Sequence, residues 1–328
     1  MKICIYGAGA IGGLMAAWLA RSGNEVSAVA RGPQLDALRK DGLRVYDRAK
    51  GRMATFSIVA SDDPAVLGPQ DYVIVAVKAQ NLTEVAAGIK PLLGPDTSIV
   101  TAMNGVPWWF FDCLKFGANG KHRLETLDPD GGLSRAMPTQ RIVGCVVHLA
   151  ASTPEPGLIS HNMGKKLILG QPGGANTTRV KKIATALTLA GFEIAVTGSI
   201  EKEFWVKLLG NVSFNPVSAL TLATAERLIA DAEVKSYMVA IMREVLAIGR
   251  AVGVDADIDP EARIEMARHL GRFKTSMLQD MEAGKSLEID GLLTGTLEVA
   301  RKAGVAAPFT ESLAGLARLR AESTGQYK

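Results

Sequence analysis

The sequence predicts an α/β domain with a doubly wound sheet, followed by an all-α C-terminal domain. An apolar strand, a glycine turn and a helix occupy residues 2–20. The apolar run Asp71–Val77, bounded by polar residues, is typical of a parallel strand that is buried on both faces. From Ser199 onward strand-like runs stop and helical periodicity dominates. We therefore expect two domains, at residues 1–198 and 199–328.

The glycine turn has the spacing G-x-G-x-x-G, with glycines at Gly7, Gly9 and Gly12. The first glycine allows a tight turn, the second lets a pyrophosphate approach the backbone, and the third lets the helix pack closely on its strand. The helix N-terminus offers unpaired N–H groups and a positive dipole end to phosphates. Because the turn joins a strand to a helix, we expect a Rossmann-type dinucleotide site rather than a purely structural turn. The residues expected at the cofactor are Gly7, Ala8, Gly9, Ala10, Ile11 and Gly12.

Arg31 follows the second predicted strand, Glu25–Ala30. An NAD-binding turn carries Asp or Glu about 20 residues past the glycines, where the carboxylate binds the ribose 2′-hydroxyl. A guanidinium at this place pairs with a 2′-phosphate, which a carboxylate would repel. The residue type therefore favours NADP(H) as the cofactor. The alternative is a surface arginine that caps a loop.

Two polar positions follow buried strands of the predicted sheet. Lys78 comes directly after the strand at Asp71–Val77, and Asn104 follows the strand at Thr97–Met103. Polar residues at the carboxyl ends of such strands point into the ligand crevice. Asn104-Gly105 is by itself a common turn. At this place it is also a ready contact for the nicotinamide end of the cofactor.

A second group of polar residues opens the helical part. Lys207, Asn211 and Asn215 lie four residues apart, so they share one helix face, and Pro216 is expected to end the helix near Asn215. Burial would lower the pKa of such a lysine towards neutrality, where it can act as a general acid. Spacing alone favours the alternative of a solvent-facing stripe. Glu288, in the first turn of a later helix, is by itself better explained by the helix dipole.

Composition is that of an ordinary globular protein. A formal net charge of +4 over 328 residues gives no indication of nucleic-acid binding and agrees weakly with a small anionic ligand. The cysteines Cys4, Cys113 and Cys145 are far apart and lack metal-ligand spacing, so we expect reduced thiols and no metal site. No apolar segment reaches the ~20 residues of a membrane span. We expect a cytoplasmic location without a signal peptide.

Taken together, these motifs resemble the ketopantoate reductase (2-dehydropantoate 2-reductase) family. The resemblance covers most of the chain, and its marks occur in the family's order. They are Gly7-Ala-Gly-Ala-Ile-Gly, Val77-Lys-Ala-Gln, Asn104-Gly, Lys207-Leu-Leu-Gly-Asn with Asn215-Pro, Ser276-Met-Leu-Gln-Asp and Glu288-Ile-Asp-Gly. Each motif alone is weak evidence for the family. Six motifs in the family's order are strong evidence, and they outweigh the structural alternatives given above.

The resemblance implies a reaction and a role for each matched residue. It implies NADPH-dependent reduction of a 2-oxo acid, ketopantoate, to pantoate in pantothenate biosynthesis, and a homodimer is a reasonable expectation. Lys207 would be the general acid and Glu288 would hold the substrate hydroxyl. Substrate oxygens would be bound by Asn211, Asn215 and Ser276. Lys78 and Asn104 would lie at the cofactor and the reacting carbon, so Asn104 belongs to both the substrate and the cofactor set.

The chain departs from the family pattern after Asn104-Gly105. Four aromatic residues follow at Trp108–Phe111, and residues 117–140 are predicted to form a long loop. The aromatics either pack under the loop as a small core or wall the substrate site. In the second case the enzyme would prefer a bulkier 2-oxo acid than ketopantoate. A further alternative, in a different class, is a protein that senses NADPH without turnover.

Overall fold

The chain forms two compact units in a computed structural model that describes residues 1–116, 122–175, 177–268 and 271–327. The sheet unit comprises Met1–Met103 and Gly131–Ile200, and the helical unit comprises Asn104–Asp130 and Glu201–Lys328. Residues 104–130, which the sequence analysis places in the N-terminal domain, therefore group with the helices. Part of the predicted loop at 117–140 lies outside the described residues.

The strands of the sheet unit, as far as it is described, are β1 Lys2–Tyr6, β2 Glu25–Val29, β3 Leu43–Asp47, β4 Arg52–Phe56, β5 Val59–Ser61, β6 Gln70–Val75, β7 Leu93–Thr101, β8 Ile142–Glu155, β9 Leu158–Gly170 and β10 Glu193–Val196. Its helices are α1 Ala10–Arg21, α2 Gly32–Asp41, α3 Leu82–Gly88, α4 Gly132–Ala136 and α5 Thr178–Ala190. The helical unit contains α6 Ile200–Thr221, α7 Ala225–Ala230, α8 Ala232–Ala251, α9 Pro260–Arg268, α10 Ser276–Glu282, α11 Gly295–Ala303 and α12 Pro308–Ser323. A π-helical turn, Asp290–Thr294, precedes α11.

The strands form one sheet in the order β4-β3-β9-β8-β7-β6-β1-β2-β5, with β10 paired to β9. From β8 to β5 every neighbouring pair is parallel, whereas β8 with β9 and β3 with β4 are antiparallel. Ile3, Cys4 and Ile5 of β1 are fully buried, as expected for a central parallel strand. The chain leaves β1 towards β2 on one side and later returns to β6 on the other. The carboxyl ends of β1 and β6 thus form the switch point at which such sheets bind ligands. The predicted fold class is confirmed.

Helix α6 is longer than the sequence predicts. Pro216 was expected to end it near Asn215, but the helix continues to Thr221 with the proline inside. A proline removes one backbone hydrogen bond from a helix and crowds the preceding turn. Here the turns on both sides are held by tertiary packing, because Val212, Phe214 and Val217 are buried. Burial of this segment therefore outweighs the local rule.

The aromatic run Trp108–Phe111 lies in the core of the helical unit. All four side chains are at most 1% exposed. The Trp109 ring packs edge-on against Phe204 at 5.5 Å between centroids, and the Phe110 ring stacks on Trp205 at 5.2 Å. The indole N–H of Trp205 in turn donates to the Val245 carbonyl of α8 at 3.0 Å. Trp109 and Phe110 therefore pack the run against α6.

A carboxylate attaches the next part of this segment to the helical unit. Glu298 of α11 accepts hydrogen bonds from the backbone N–H of Glu125 at 2.7 Å and of Thr126 at 2.8 Å. These bonds and the neighbouring ammonium of Lys302 lower the pKa of Glu298 against the opposing effect of burial.

Among the described residues, none of the helices is both long and apolar enough to span a membrane.

Candidate active site and cofactor site

The glycine turn after β1 has the geometry that the motif predicts. Gly7 has a φ of +100°, and a Cβ at this residue would lie 2.5 Å from Cγ1 of Val77. A Cβ at Gly12 would lie 2.1 Å from the Gly7 carbonyl oxygen. Neither position accepts a larger residue without moving the backbone. At Gly9, by contrast, no described protein atom lies within 4 Å of the Cβ position.

The helix that follows the turn presents its amides at this open position. Helix α1 begins at Ala10 with Gly9 as the N-cap, and no side chain caps it. The N–H groups of Ala10, Ile11 and Gly12 belong to the first turn, whose donors have no partner within the helix. Backbone donors and a Cβ-free approach suit a pyrophosphate. The residues present therefore fit a dinucleotide.

Gln34 of α2 holds this turn in place, although no sequence motif indicates it. Its Nε2 donates to the Ala8 carbonyl at 2.7 Å, and its Oε1 accepts from the Gly157 N–H at 2.9 Å. The side chain thus joins the glycine turn to the β8–β9 hairpin. One amide side chain fixes the backbone conformation of Ala8 from outside the motif.

Arg31 lies where the sequence analysis places it, two residues past the end of β2, and is the N-cap of α2. Its guanidinium forms an ion pair with Glu84 of α3. Both side chains are more than half exposed, and the contact raises the pKa of Arg31. A 2′-phosphate at this arginine would have to compete with the Glu84 carboxylate. Glu84 is therefore part of the site's electrostatics, which the sequence analysis did not foresee.

Lys78 follows β6 at the switch-point edge of the sheet. It precedes a short 3₁₀ turn, Ala79–Asn81, and its carbonyl accepts the N–H of Asn81 at 2.9 Å. The residue is half-buried. The glycine turn, Arg31 and Lys78 all belong to the sheet unit.

The helical unit brings three of the predicted site residues together. Nζ of Lys207 donates to Oδ1 of Asn104 at 2.8 Å. On its other side, Nδ2 of Asn104 donates to Oε2 of Glu288 at 3.4 Å. Lys207 and Asn104 are half-buried, and Glu288 is 8% exposed. Asn104 thus bridges an ammonium and a carboxylate, and its amide group fixes their relative positions.

A close backbone contact explains how Asn104 reaches Glu288. The N–H of Val106 donates to the Gly291 carbonyl at 2.9 Å, within the π-helical turn. Gly105 has a φ of +83°, and a Cβ there would lie 2.3 Å from the same oxygen. Only glycine fits between these two backbone segments. The Asn-Gly pair therefore does more than form a turn: its glycine permits the contact and its asparagine forms the bridge.

The remaining predicted residues extend this group along α6. Asn211 and Asn215 follow Lys207 at successive helix turns, so the three span about 12 Å of the helix axis. Asn215 is buried, and its Nδ2 donates to Oγ of Ser276 at 3.4 Å. Ser276 is exposed and begins α10, where Thr275 caps the helix by accepting the Leu278 N–H at 3.2 Å. The polar stripe is therefore half-buried or buried along its length.

The segment that carries Glu288 is held by Gln326. This side chain is 4% exposed, and its Nε2 donates to the carbonyls of Lys285 at 2.7 Å and Asp280 at 3.0 Å. The Gln326 carbonyl accepts the N–H of Leu287 at 2.9 Å.

Tyr327 adds a contact on the other side of Glu288, because its hydroxyl donates to Oδ1 of Asp290 at 2.8 Å. Burial, followed by this hydrogen bond, raises the pKa of Tyr327 to about 12. Like Gln326, Tyr327 carries no motif that sequence analysis could have used.

Comparison with known proteins identifies the family. The profile described as ketopantoate reductase PanE/ApbA matches residues 3–108, and its C-terminal counterpart matches residues 199–321. A 2-dehydropantoate 2-reductase of Mesorhizobium japonicum is 42% identical over 328 residues, covering 100% of both chains. The chain belongs to the ketopantoate reductase family. The predicted resemblance is confirmed.

Solved structures agree with this assignment. A protein from Ralstonia solanacearum MolK2 has a TM-score of 0.94 at 45% identity, with 99% of each chain covered. D-mandelate dehydrogenase, in a ternary structure with NADH and anilino(oxo)acetate, has a TM-score of 0.86 at 20% identity and shares the fold, again with 99% of each chain covered. Ketopantoate reductases are nicotinamide-dependent oxidoreductases that act on a small molecule, and the relatives indicate this activity here.

Proposed function

We propose that the protein reduces 2-dehydropantoate to pantoate with NADPH, as a step of pantothenate biosynthesis, and that Lys207 is the general acid. The observation that carries the proposal is the bridge from Lys207 through Asn104 to Glu288, at 2.8 Å and 3.4 Å. It unites the residue needed to protonate an oxygen with a carboxylate able to accept a substrate hydroxyl. Family membership and the dinucleotide turn support the same reaction.

The division of labour follows from the donor and acceptor types. When bound, NADPH would supply the hydride for reduction at C2 of the substrate. Lys207 donates a proton from Nζ to the C2 oxygen as negative charge develops there. Asn104 accepts a hydrogen bond from the same Nζ, which restricts the ammonium to one direction. Glu288 accepts the 4-hydroxyl of the substrate, while Asn211, Asn215 and Ser276 donate hydrogen bonds to substrate oxygens.

The preference for NADPH is assigned to Arg31, which stands where NAD-binding turns carry an acid. A guanidinium binds a phosphate through charge-assisted hydrogen bonds. Glu84 opposes this by pairing with Arg31. We therefore propose a preference for NADPH that Glu84 moderates.

The alternative of a bulkier 2-oxo acid loses its support in the structure. It rested on Trp108–Phe111 as a wall of the site, and these side chains are at most 1% exposed, with Trp109 and Phe110 packed on α6. The interpretation as packed core therefore fits better. The alternative of an NADPH sensor without turnover would leave the Lys207–Asn104–Glu288 bridge without a role.

The experiment is an assay of NADPH oxidation by the purified protein with a panel of 2-oxo acids. We expect ketopantoate to give the highest kcat/KM and NADH to give a lower one than NADPH. A higher kcat/KM for an aromatic 2-oxo acid would replace the proposed substrate. Tight NADPH binding without turnover of any panel member would establish the sensor instead. The expected homodimer is checked on the same sample by sedimentation equilibrium.

A further inference from the structure

Arg263 of α9 lies beside the polar stripe of α6 and has no role in the proposed function. Its Nη2 lies 3.9 Å from the position that a Cβ of Gly210 would occupy. Gly210 is three residues after Lys207 and directly before Asn211. Residues three and four apart are neighbours on a helix surface, so the guanidinium borders the strip that carries both functional side chains.

That strip is the open part of the helix. Lys207, Gly210 and Asn211 are all half-buried, whereas Leu208 and Leu209 beside them are buried. Gly210 has no side chain, and the Arg263 guanidinium is the side-chain group nearest to its Cβ position. The guanidinium therefore lies beside a glycine on the half-buried surface of α6 that also carries Lys207.

The charges of α9 are divided between two faces. Glu261 pairs with Arg243 of α8, and Glu265 pairs with Lys235 of α8 and with Arg268. Both acids lie four residues apart on the face towards α8. Arg263 is two residues from each and so lies on the opposite face.

The acids of its own helix thus leave Arg263 without a counter-charge. Within the described ranges, the Arg263 side chain has neither an ion pair nor a hydrogen bond. Burial lowers the pKa of Arg263, and no neighbouring acid offsets this effect. A partly desolvated guanidinium without an acidic partner is costly unless a ligand supplies the anion.

We propose that Arg263 binds the carboxylate of the 2-oxo acid substrate. The proposal rests on the proposed function, in which Lys207 protonates the C2 oxygen. The carboxylate of a 2-oxo acid is bonded directly to C2, so the group that binds it must lie close to Lys207. A guanidinium matches a carboxylate with two parallel N–H···O bonds, which an amide or a hydroxyl cannot provide. Arg263 would then select acids over neutral 2-oxo compounds.

The test compares Arg263→Gln and Arg263→Lys with wild type, using the best 2-oxo acid of the panel and its methyl ester. We expect Arg263→Gln to raise KM for the acid about 10- to 100-fold, the range for a hydrogen-bonded charge. The KM of the ester, the Kd of NADPH and the unfolding midpoint should change little. Arg263→Lys keeps the positive charge but cannot form the two parallel N–H···O bonds, and it should give an intermediate KM.

Arg268→Gln is the matched control, because Arg268 lies on the same helix and already pairs with Glu265. It should leave the acid-to-ester ratio unchanged. If Arg263→Gln raises both KM values equally, or neither, Arg263 does not bind the carboxylate and the proposal is overturned. That result stands apart from a failure of the proposed function, which would appear as absent turnover of every 2-oxo acid by the wild type. Absent turnover would overturn both proposals.

Discussion

Lys207 and Asn104 are 103 positions apart in the chain and are joined by a 2.8 Å hydrogen bond from Nζ to Oδ1. Lys207 belongs to a long helix, and Asn104 follows the strand β7 that the glycine-turn domain contributes. Both nonetheless belong to the helical unit. The proposed proton donor and the residue bonded to it therefore share one compact body, which makes their separation insensitive to movement elsewhere.

Replacement of Lys207 by alanine should lower kcat by about 10²–10⁴, the usual contribution of a general acid. The Kd of NADPH should stay near the wild-type value, because the cofactor turn lies in the sheet unit. The measurement is steady-state kinetics together with NADPH titration. Small primary amines added to Lys207→Ala should restore part of the rate by supplying the missing ammonium. Near-normal turnover without added amine would exclude Lys207 as the acid.

Loss of the Gln326 side chain should act on Glu288 from a distance. We expect Gln326→Ala to raise KM for ketopantoate, as we also expect of Glu288→Ala, because the Gln326 side chain donates to the carbonyls of Asp280 and Lys285 in the segment that leads to Glu288. Both variants should raise KM much less for a 2-oxo acid that lacks the 4-hydroxyl.

Gln279→Ala is the control, since Gln279 is exposed and, within the described part of the chain, its side chain donates to the nearby Lys274 carbonyl alone. Kinetics with the two substrates give the answer. An equal effect on both would mean that Gln326 contributes to folding stability alone.

Gly105→Ala should lower both the free energy of unfolding and kcat. The residue has a φ of +83°, which costs an alanine about 1–2 kcal/mol, and its Cβ would lie 2.3 Å from the Gly291 carbonyl oxygen. Gly253→Ala separates the two effects, because Gly253 has a φ of +85° with no described atom within 4 Å of its Cβ position.

Urea unfolding should show a larger decrease in the free energy of unfolding for Gly105→Ala than for Gly253→Ala. Only Gly105→Ala should lower kcat. Equal losses of stability with unchanged kcat would show that the contact with Gly291 does not position Asn104.

Cofactor preference should respond to both partners of the Arg31–Glu84 pair. Arg31→Ala should weaken NADPH binding by about 1–3 kcal/mol and leave NADH nearly unchanged. Glu84→Gln should tighten NADPH by no more than about 1 kcal/mol, the worth of an exposed ion pair.

Arg39→Ala is the control, since Arg39 also forms an exposed ion pair on α2, with Asp62. Titration of each variant with both cofactors decides the matter. Equal losses of NADPH and NADH affinity in Arg31→Ala would remove this arginine from the 2′-phosphate site.

The sequence was most informative where a function needs a short, local pattern. Gly7 and Gly12 could be recognised because each must lack a side chain for a reason fixed within a few residues. The spacing of Lys207, Asn211 and Asn215 likewise follows from helix geometry alone. The fold class was predictable for the same reason, since buried parallel strands and amphipathic helices have different periods.

Contacts between distant segments could not be predicted from such local patterns. Pro216 was misjudged because a local steric rule was applied to a helix stabilised by burial on both sides. Gln326 and Arg263 carry no motif, because the side-chain partners of Gln326 and the glycine beside Arg263 lie more than 40 positions away. Glu84 was missed because its pairing with Arg31 depends on how α2 and α3 lie across the sheet.

The attachment of residues 104–130 to the helices has a consequence for synthesis of the chain. Trp109 and Phe110 leave the ribosome well before Phe204 and Trp205, the rings against which they are packed. Until α6 is made, four large apolar side chains in a row lack the surface that covers them, and non-local contacts of this kind form slowly. The nascent chain is thus exposed to aggregation during this interval, and a fragment that begins at residue 199 would lack both these rings and Asn104.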